Sequence, residues 1–138
     1  MSSMIVPLLI IMMVVPTKPS DLTILDTPDG GTHPASCALT CSGIGRWDAT
    51  GDYRWRDSGA YPGKGYKYVG ISGCNFVSPP VVIATTRSAS LSAMDCPSVI
   101  ANGIAKTLFY LYTIEDSTAA DMKSKKCDVH WSAFGYNC

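Results

Sequence analysis

Charge is scarce in this chain and balanced in sign. Lys and Arg together number 11, Asp and Glu 11, and charged residues make up 16% of the sequence. Phosphate-backbone binding rests on a basic surface, so a formal charge of zero excludes nucleic acid as the main partner. The one basic cluster, Lys123, Lys125 and Lys126, reads as a solvated loop. Histidine is scarcer still, with His33 and His130 alone. Cys37 and Cys41 stand four apart but have no second close Cys/His pair, so no zinc site or other metal centre is expected. No Asn-x-Ser/Thr sequon occurs, which argues against an N-glycan shield.

Motifs for catalysis are also missing. Paired carboxylates, a phosphate-binding loop and a zinc-protease signature are all absent. Gly43-x-Gly45 lacks the third glycine and the opening helix of a dinucleotide fingerprint. Asp128, His130 and Ser132 look like a triad when written out. On one strand, however, neighbours at i±2 stand roughly 7 Å apart, too far for a nucleophile–base hydrogen bond. The row is a polar strand face, and neither an enzyme nor a cofactor is expected.

Cysteine, by contrast, is plentiful for 138 residues: Cys37, Cys41, Cys74, Cys96, Cys127 and Cys138. An even count in so short a chain predicts a disulfide framework in a secreted, extracellular protein, with the pairing left open. Residues 4–15 form an apolar run too short to span a bilayer, so no stable membrane insertion follows. Residues 1–19 read as a signal peptide or as an apolar arm kept for adding to a neighbour's sheet. Residues 20–36, dense in Pro and Gly, read as an extended linker, and residues 37–138 as one globular domain.

Within that domain the pattern is all β. Pro79 and Pro80 suit the entrance to a strand, and the β-branched run Val81, Val82, Ile83, Thr85 and Thr86 predicts a central strand packed on both faces. Further strands are expected from Ser42 to Trp47, from Tyr66 to Ile71, around Val99 and Ile100, and from Leu108 to Ile114. Gly103 suggests a bulge. The last strand alternates cleanly, with Cys127, Val129, Trp131 and Ala133 inward and Asp128, His130 and Ser132 outward. Between Glu115 and Met122 a single helical turn fits. Short strands separated by turn signals predict a disulfide-stapled antiparallel β-sandwich of about six strands, or a barrel.

Ser42 and Gly43, Trp55, Phe76 with Pro79, Pro80, Val81 and Val82, Phe109, and Val129-x-Trp131-x-Ala133 occur in an order and spacing that resembles the H-type lectin family, typified by snail agglutinins. The resemblance runs from about residue 41 to 136. It implies a six-stranded antiparallel sandwich that forms trimers, with galactose- or N-acetylgalactosamine-type sugars bound at subunit boundaries. The family's Pro-Gly-basic-Asp loop matches Pro62, Gly63, Lys64 and Gly65, with glycine in place of the acid. Its arginine falls near Ser98, and its aromatic–His pair near Ile114 and Glu115 or Asp116 and Ser117. The sugar-binding residues so implied are Gly63, Lys64, Glu115 and Asp116.

A sugar site needs planar hydrogen-bonding groups and an aromatic face. Trp47, Tyr53, Trp55, Tyr61, Tyr66 and Tyr68 lie close in sequence to Asp48, Asp52, Arg54 and Arg56. The same aromatics equally suit a core or a subunit interface. The resulting expectation is a secreted lectin whose partners are glycans and further copies of itself, a homo-oligomer acting by avidity. The alternative is a structural subunit of an extracellular fibre or matrix, a filament assembled through the N-terminal arm and the sandwich interfaces.

Overall fold

A computed structural model describes residues 23–24, 33–89 and 95–138. Six antiparallel strands of four residues or more build it: β3 (Ala38–Gly45), β5 (Gly65–Gly70), β6 (Val81–Ser88), β7 (Val99–Asn102), β8 (Leu108–Thr113) and β9 (Cys127–Tyr136). Two-residue strands β1 (Thr23–Ile24) and β2 (His33–Pro34) pair with each other, and β4 (Arg56–Asp57) extends one sheet edge. The sheets have the orders β3-β9-β6 and β4-β5-β8-β7. Their inward faces share one core, a sandwich-like all-β fold. The expected apolar arm and most of the expected linker lie outside the described residues.

The sheet centre differs from the expectation. The Val81–Ser88 strand is an edge, and its alternate residues Val81 and Ile83 are 48% and 58% exposed. The centre is β9, paired with β3 from Ala38↔Tyr136 to Gly45↔Val129 and with β6 from Val81↔Phe134 to Ser88↔Cys127. A β-branched run looks the same whether its outer face meets protein or water. Gly103 sits in the turn between β7 and β8 at φ 59°, where its N–H donates to Asn102 Oδ1 at 2.7 Å, rather than in a bulge. The helical turn is α1 (Ala119–Ser124), opened by a reciprocal capping box between Thr118 and Asp121. The Thr118 N–H and hydroxyl both donate to Asp121 Oδ2 and hold that carboxyl below its ordinary range.

All six cysteines are paired. Cys37–Cys138 ties the start of β3 to the C-terminus, while Cys41–Cys74 and Cys96–Cys127 tie segments of one sheet to the other. Loops of this size give roughly 3–5 kcal/mol each in the chain-entropy account. Metal-ligating clusters are absent among the described residues, as is any helix long and apolar enough to cross a membrane.

Inward glycines make room for large side chains that pack over them, from the neighbouring strand as well as from the opposite layer. A Cβ on Gly43 would stand 2.5 Å from the Trp131 ring, whose centre lies 5.4 Å from that of Phe109 in an edge-to-face pair, and one on Gly135 would stand 2.8 Å from Phe76. Gly45 makes the same room for the stem of Lys67, whose Cε would lie 3.3 Å from such a Cβ. Lys67 points inward from β5 and is only 2% exposed; its ammonium donates to the Arg46 carbonyl and lies 5.8 Å from the centre of the Trp55 ring. Burial lowers its pKa to about 8 against the opposing pull of Asp128 and Asp48.

Two outcomes follow from this core. Gly43→Ala lowers stability by about 1–3 kcal/mol, because the added methyl overlaps the Trp131 indole and forces the ring to shift, whereas Gly59→Ala, with open space around it, stays within about 0.5 kcal/mol; urea midpoints at unchanged slope measure both. Lys67 sheds its proton near pH 8 when folded and near 10.5 when unfolded. The unfolded state therefore holds more protons between those values, and stability rises with pH through that window. Unfolding free energies from pH 8 to about 9.5 should climb in the parent chain and lose that climb in Lys67→Met.

Candidate functional site

Carbohydrate recognition was expected at Gly63, Lys64, Glu115 and Asp116, and the fold brings their two stretches to one end of the four-stranded sheet. The 58–64 loop is tied internally. Ser58 N–H donates to the Lys64 carbonyl at 2.8 Å, Lys64 N–H to the Tyr61 carbonyl at 3.1 Å, and Tyr61 N–H to Ser58 Oγ at 3.0 Å. Gly63 at φ 81° makes the left-handed step such a tight loop needs. The loop then presents Lys64, whose Nζ donates to the Ile114 carbonyl at 2.6 Å and lies 3.5 Å from Asp116 Oδ1.

Gly65 is fixed by close backbone packing. Its N–H donates to the Ser117 carbonyl at 2.7 Å and to Thr113 Oγ1 at 3.1 Å, and Thr113 donates in turn to the Ser117 carbonyl at 2.8 Å. A Cβ here would stand 3.0 Å from the backbone of Thr118 and Ala119. A side chain here would have to push the Thr118–Ala119 backbone aside. The carboxylate beside the loop comes from the opposite wall, where Asp116 Oδ1 lies 3.9 Å from the place a Gly63 Cβ would take. Glu115 is exposed on the same turn, and its carbonyl accepts from Ser117 N–H at 2.7 Å; its carboxylate has no hydrogen bond or ion pair among the described residues. Ser98 also joins this end, through its carbonyl to Ile114 N–H at 2.9 Å.

The aromatics divide between the two roles open to them. Trp55 is in the core, 7% exposed, with Nε1 covered and lacking a hydrogen-bond partner. Trp47 flanks a cleft of about 610 Å³ with Asp48, Arg54 and Lys123, and carries the Lys126 ammonium 5.5 Å from its ring centre. Apart from the buried Tyr136, the tyrosines lie outside. With Lys67 and Val69 inward, Tyr66 and Tyr68 of β5 face outward opposite Tyr112 and Tyr110 of β8.

Tyr61 and Tyr53 join this array at its two ends. The rings run Tyr61, Tyr112, Tyr66, Tyr110, Tyr68, Tyr53, with successive centres 5.4, 5.8, 6.2, 5.8 and 5.5 Å apart. None of the six hydroxyls has a hydrogen-bond partner among the described residues. Burial, with the neighbouring phenols of Tyr61, Tyr110 and Tyr66, pushes the Tyr112 hydroxyl above its ordinary pKa. Sequence reasoning missed Tyr110 and Tyr112; their period-2 spacing with Tyr66 and Tyr68 was the available signal.

The outer face of the three-stranded sheet has another character. Ile44, Val81, Ile83 and Phe134 stand exposed there, with Val81 directly opposite Phe134. His130 and Ser132 lie on the same face opposite Thr85 and Ile83, whereas Asp128, expected outward with them, is buried and accepts from the Trp47 N–H at 3.0 Å. Neither a protein-family model, a curated protein nor a solved structure matches this chain.

Proposed function

We propose that the protein is a secreted carbohydrate-binding protein of galactose or N-acetylgalactosamine type, multivalent through self-association and without enzymatic activity. One observation carries the reading. At one end of the four-stranded sheet, the edge-packed pair Tyr61 and Tyr112 stands beside Lys64 and Asp116, a carboxylate and an ammonium held 3.5 Å apart at the surface. Sugar rings need this combination, an aromatic surface for their apolar side and charged hydrogen-bonding groups for vicinal hydroxyls. Asp116 is almost fully exposed and Lys64 is about a quarter exposed, so both keep capacity for a ligand. The resemblance to H-type lectins points to the same loop, and Asp116 supplies a carboxylate beside it, next to Gly63.

Disulfide pairing of every cysteine supports an oxidising, extracellular setting. Self-association draws support from the exposed Ile44, Val81, Ile83 and Phe134, an apolar patch of the kind that marks protein–protein contact. Weak single sites gain effective affinity once copies are joined. The structural-subunit reading draws on this same apolar face and predicts polymers in which sugar plays no part.

Agglutination of erythrocytes, inhibited by free galactose, tests the lectin reading. Asp116→Asn and Lys64→Ala each weaken galactose binding in calorimetry by about tenfold, the worth of one charge-assisted hydrogen bond. Unchanged affinity in both variants, or polymers in the electron microscope from a chain that binds no sugar, overturns it.

A further inference from the structure

We infer that the ligand is an extended, neutral oligosaccharide or polysaccharide chain lying along the tyrosine run, rather than a single terminal sugar. This rests on the carbohydrate-binding reading and extends it from one end of the sheet to the other.

Length supplies the first argument. Tyr66 and Tyr68 are two residues apart on one strand, roughly 7 Å. Tyr61 continues the run beyond Tyr112, and Tyr53 continues it beyond Tyr68, with its hydroxyl over Gly70. The run therefore exceeds about 15 Å, whereas a single pyranose covers one phenol or two.

Two polar pairs supply the second. Lys64 and Asp116 stand at the Tyr61 end. Arg56 and Asp52, paired at 3.1 Å, border a cleft of about 440 Å³ lined by Tyr53, Tyr66, Tyr68 and Tyr110, on the flank of the run where Arg56 is in register with Tyr66. A carboxylate and a cation thus stand beside aromatic rings at two places along the run. A chain ligand meets both, and a monosaccharide meets one.

Hydroxyls without a partner among the described residues supply the third. Another copy of this protein docking a dry surface here would bury six phenol groups, each costing free energy unless paired. A polyol has a hydroxyl for each of them. The apolar face of the other sheet, with Ile83 and Phe134, is the surface suited to a dry contact. Charge sets the last constraint: Arg56 and Asp52 neutralise one another, Lys64 and Asp116 do the same, and the unpaired charge left beside them is the Glu115 carboxylate, so the run offers no surplus cation to a sulfated or uronic chain.

Calorimetry of the full chain with β-linked galacto-oligosaccharides of one, three and six residues tests this. Affinity should rise about tenfold or more from monosaccharide to hexasaccharide. Tyr53→Ala and Tyr68→Ala should remove most of that gain while monosaccharide affinity stays within about twofold, and Tyr68→Phe should keep most of it. A footprint on the unmodified chain needs no variant to fold: the hexasaccharide should shield Tyr53 and Tyr61 together from a tyrosine-nitrating reagent, and the monosaccharide Tyr61 alone. A hexasaccharide bound no better than galactose, or one that leaves Tyr53 open to nitration, overturns the inference while the lectin reading stands. Tighter binding of a sulfated galactan than of a neutral one overturns the neutral-chain assignment. Absence of binding by every sugar removes both proposals.

Discussion

The structure depends on a ten-residue ladder: β9 held on both sides, by β3 along one edge and β6 along the other. Backbone groups of β9 have partners in both directions, so the strand is the least free part of its sheet to shift. A slip by one residue would carry Cys127, Val129, Trp131 and Ala133 to the outer face and break the Cys96–Cys127 bridge. The register of β9 thereby fixes where Trp131 meets Phe109 and where Gly43 and Gly45 must have no side chain. Because β3 and β9 lie near opposite ends of the domain, this ladder closes a long loop, and the Cys37–Cys138 bridge reinforces the same closure.

From that constraint the second sheet acquires an unusual distribution of polarity. Hydrophobicity alone would turn the tyrosines of β5 inward and Lys67 outward. The opposite holds, because Val69 shares the face of Lys67 and must meet the core of Phe109 and Leu111. Tyr66 and Tyr68 are then committed to the outer face, where Tyr110 and Tyr112 meet them in cross-strand pairs. Burial of one lysine, tolerated through the Arg46 carbonyl and the Trp55 ring, accompanies an outer face of six phenols. The aromatic surface proposed to hold sugar and the perturbed amine in the core are consequences of one register.

Polar groups at the end of this sheet are placed by backbone packing more than by side-chain attraction. An exposed ion pair such as Lys64 and Asp116 contributes about 0–1 kcal/mol and does not organise a loop. What organises it is Gly65, pressed against Thr118 and Ala119 with its N–H shared between Ser117 and Thr113. The capping box of Thr118 and Asp121 holds the chain that presses on it. Asp116 and Lys64 come together because both flank this contact.

Local pattern told much of this in advance. Alternation along residues 127–136, β-branched and aromatic runs, turn residues and six cysteines pointed to an all-β, disulfide-bonded domain, since side-chain period and cysteine count are properties of the chain itself. The neighbourhood of Gly63, Lys64 and Asp116 came from a resemblance rather than from pattern, because the two stretches are about fifty residues apart and nothing local joins them. Three things were decided in folding: the partner of each cysteine, the central position of β9 in place of β6, and the outward turn of the tyrosines. A strand reads alike whether its neighbour is protein or water, and tyrosines alternating with Lys67 and Val69 do not state which of their faces is inward. Those choices belong to contacts between distant segments, where the volume of Trp131 against Gly43 and of Thr118 against Gly65 admits one arrangement.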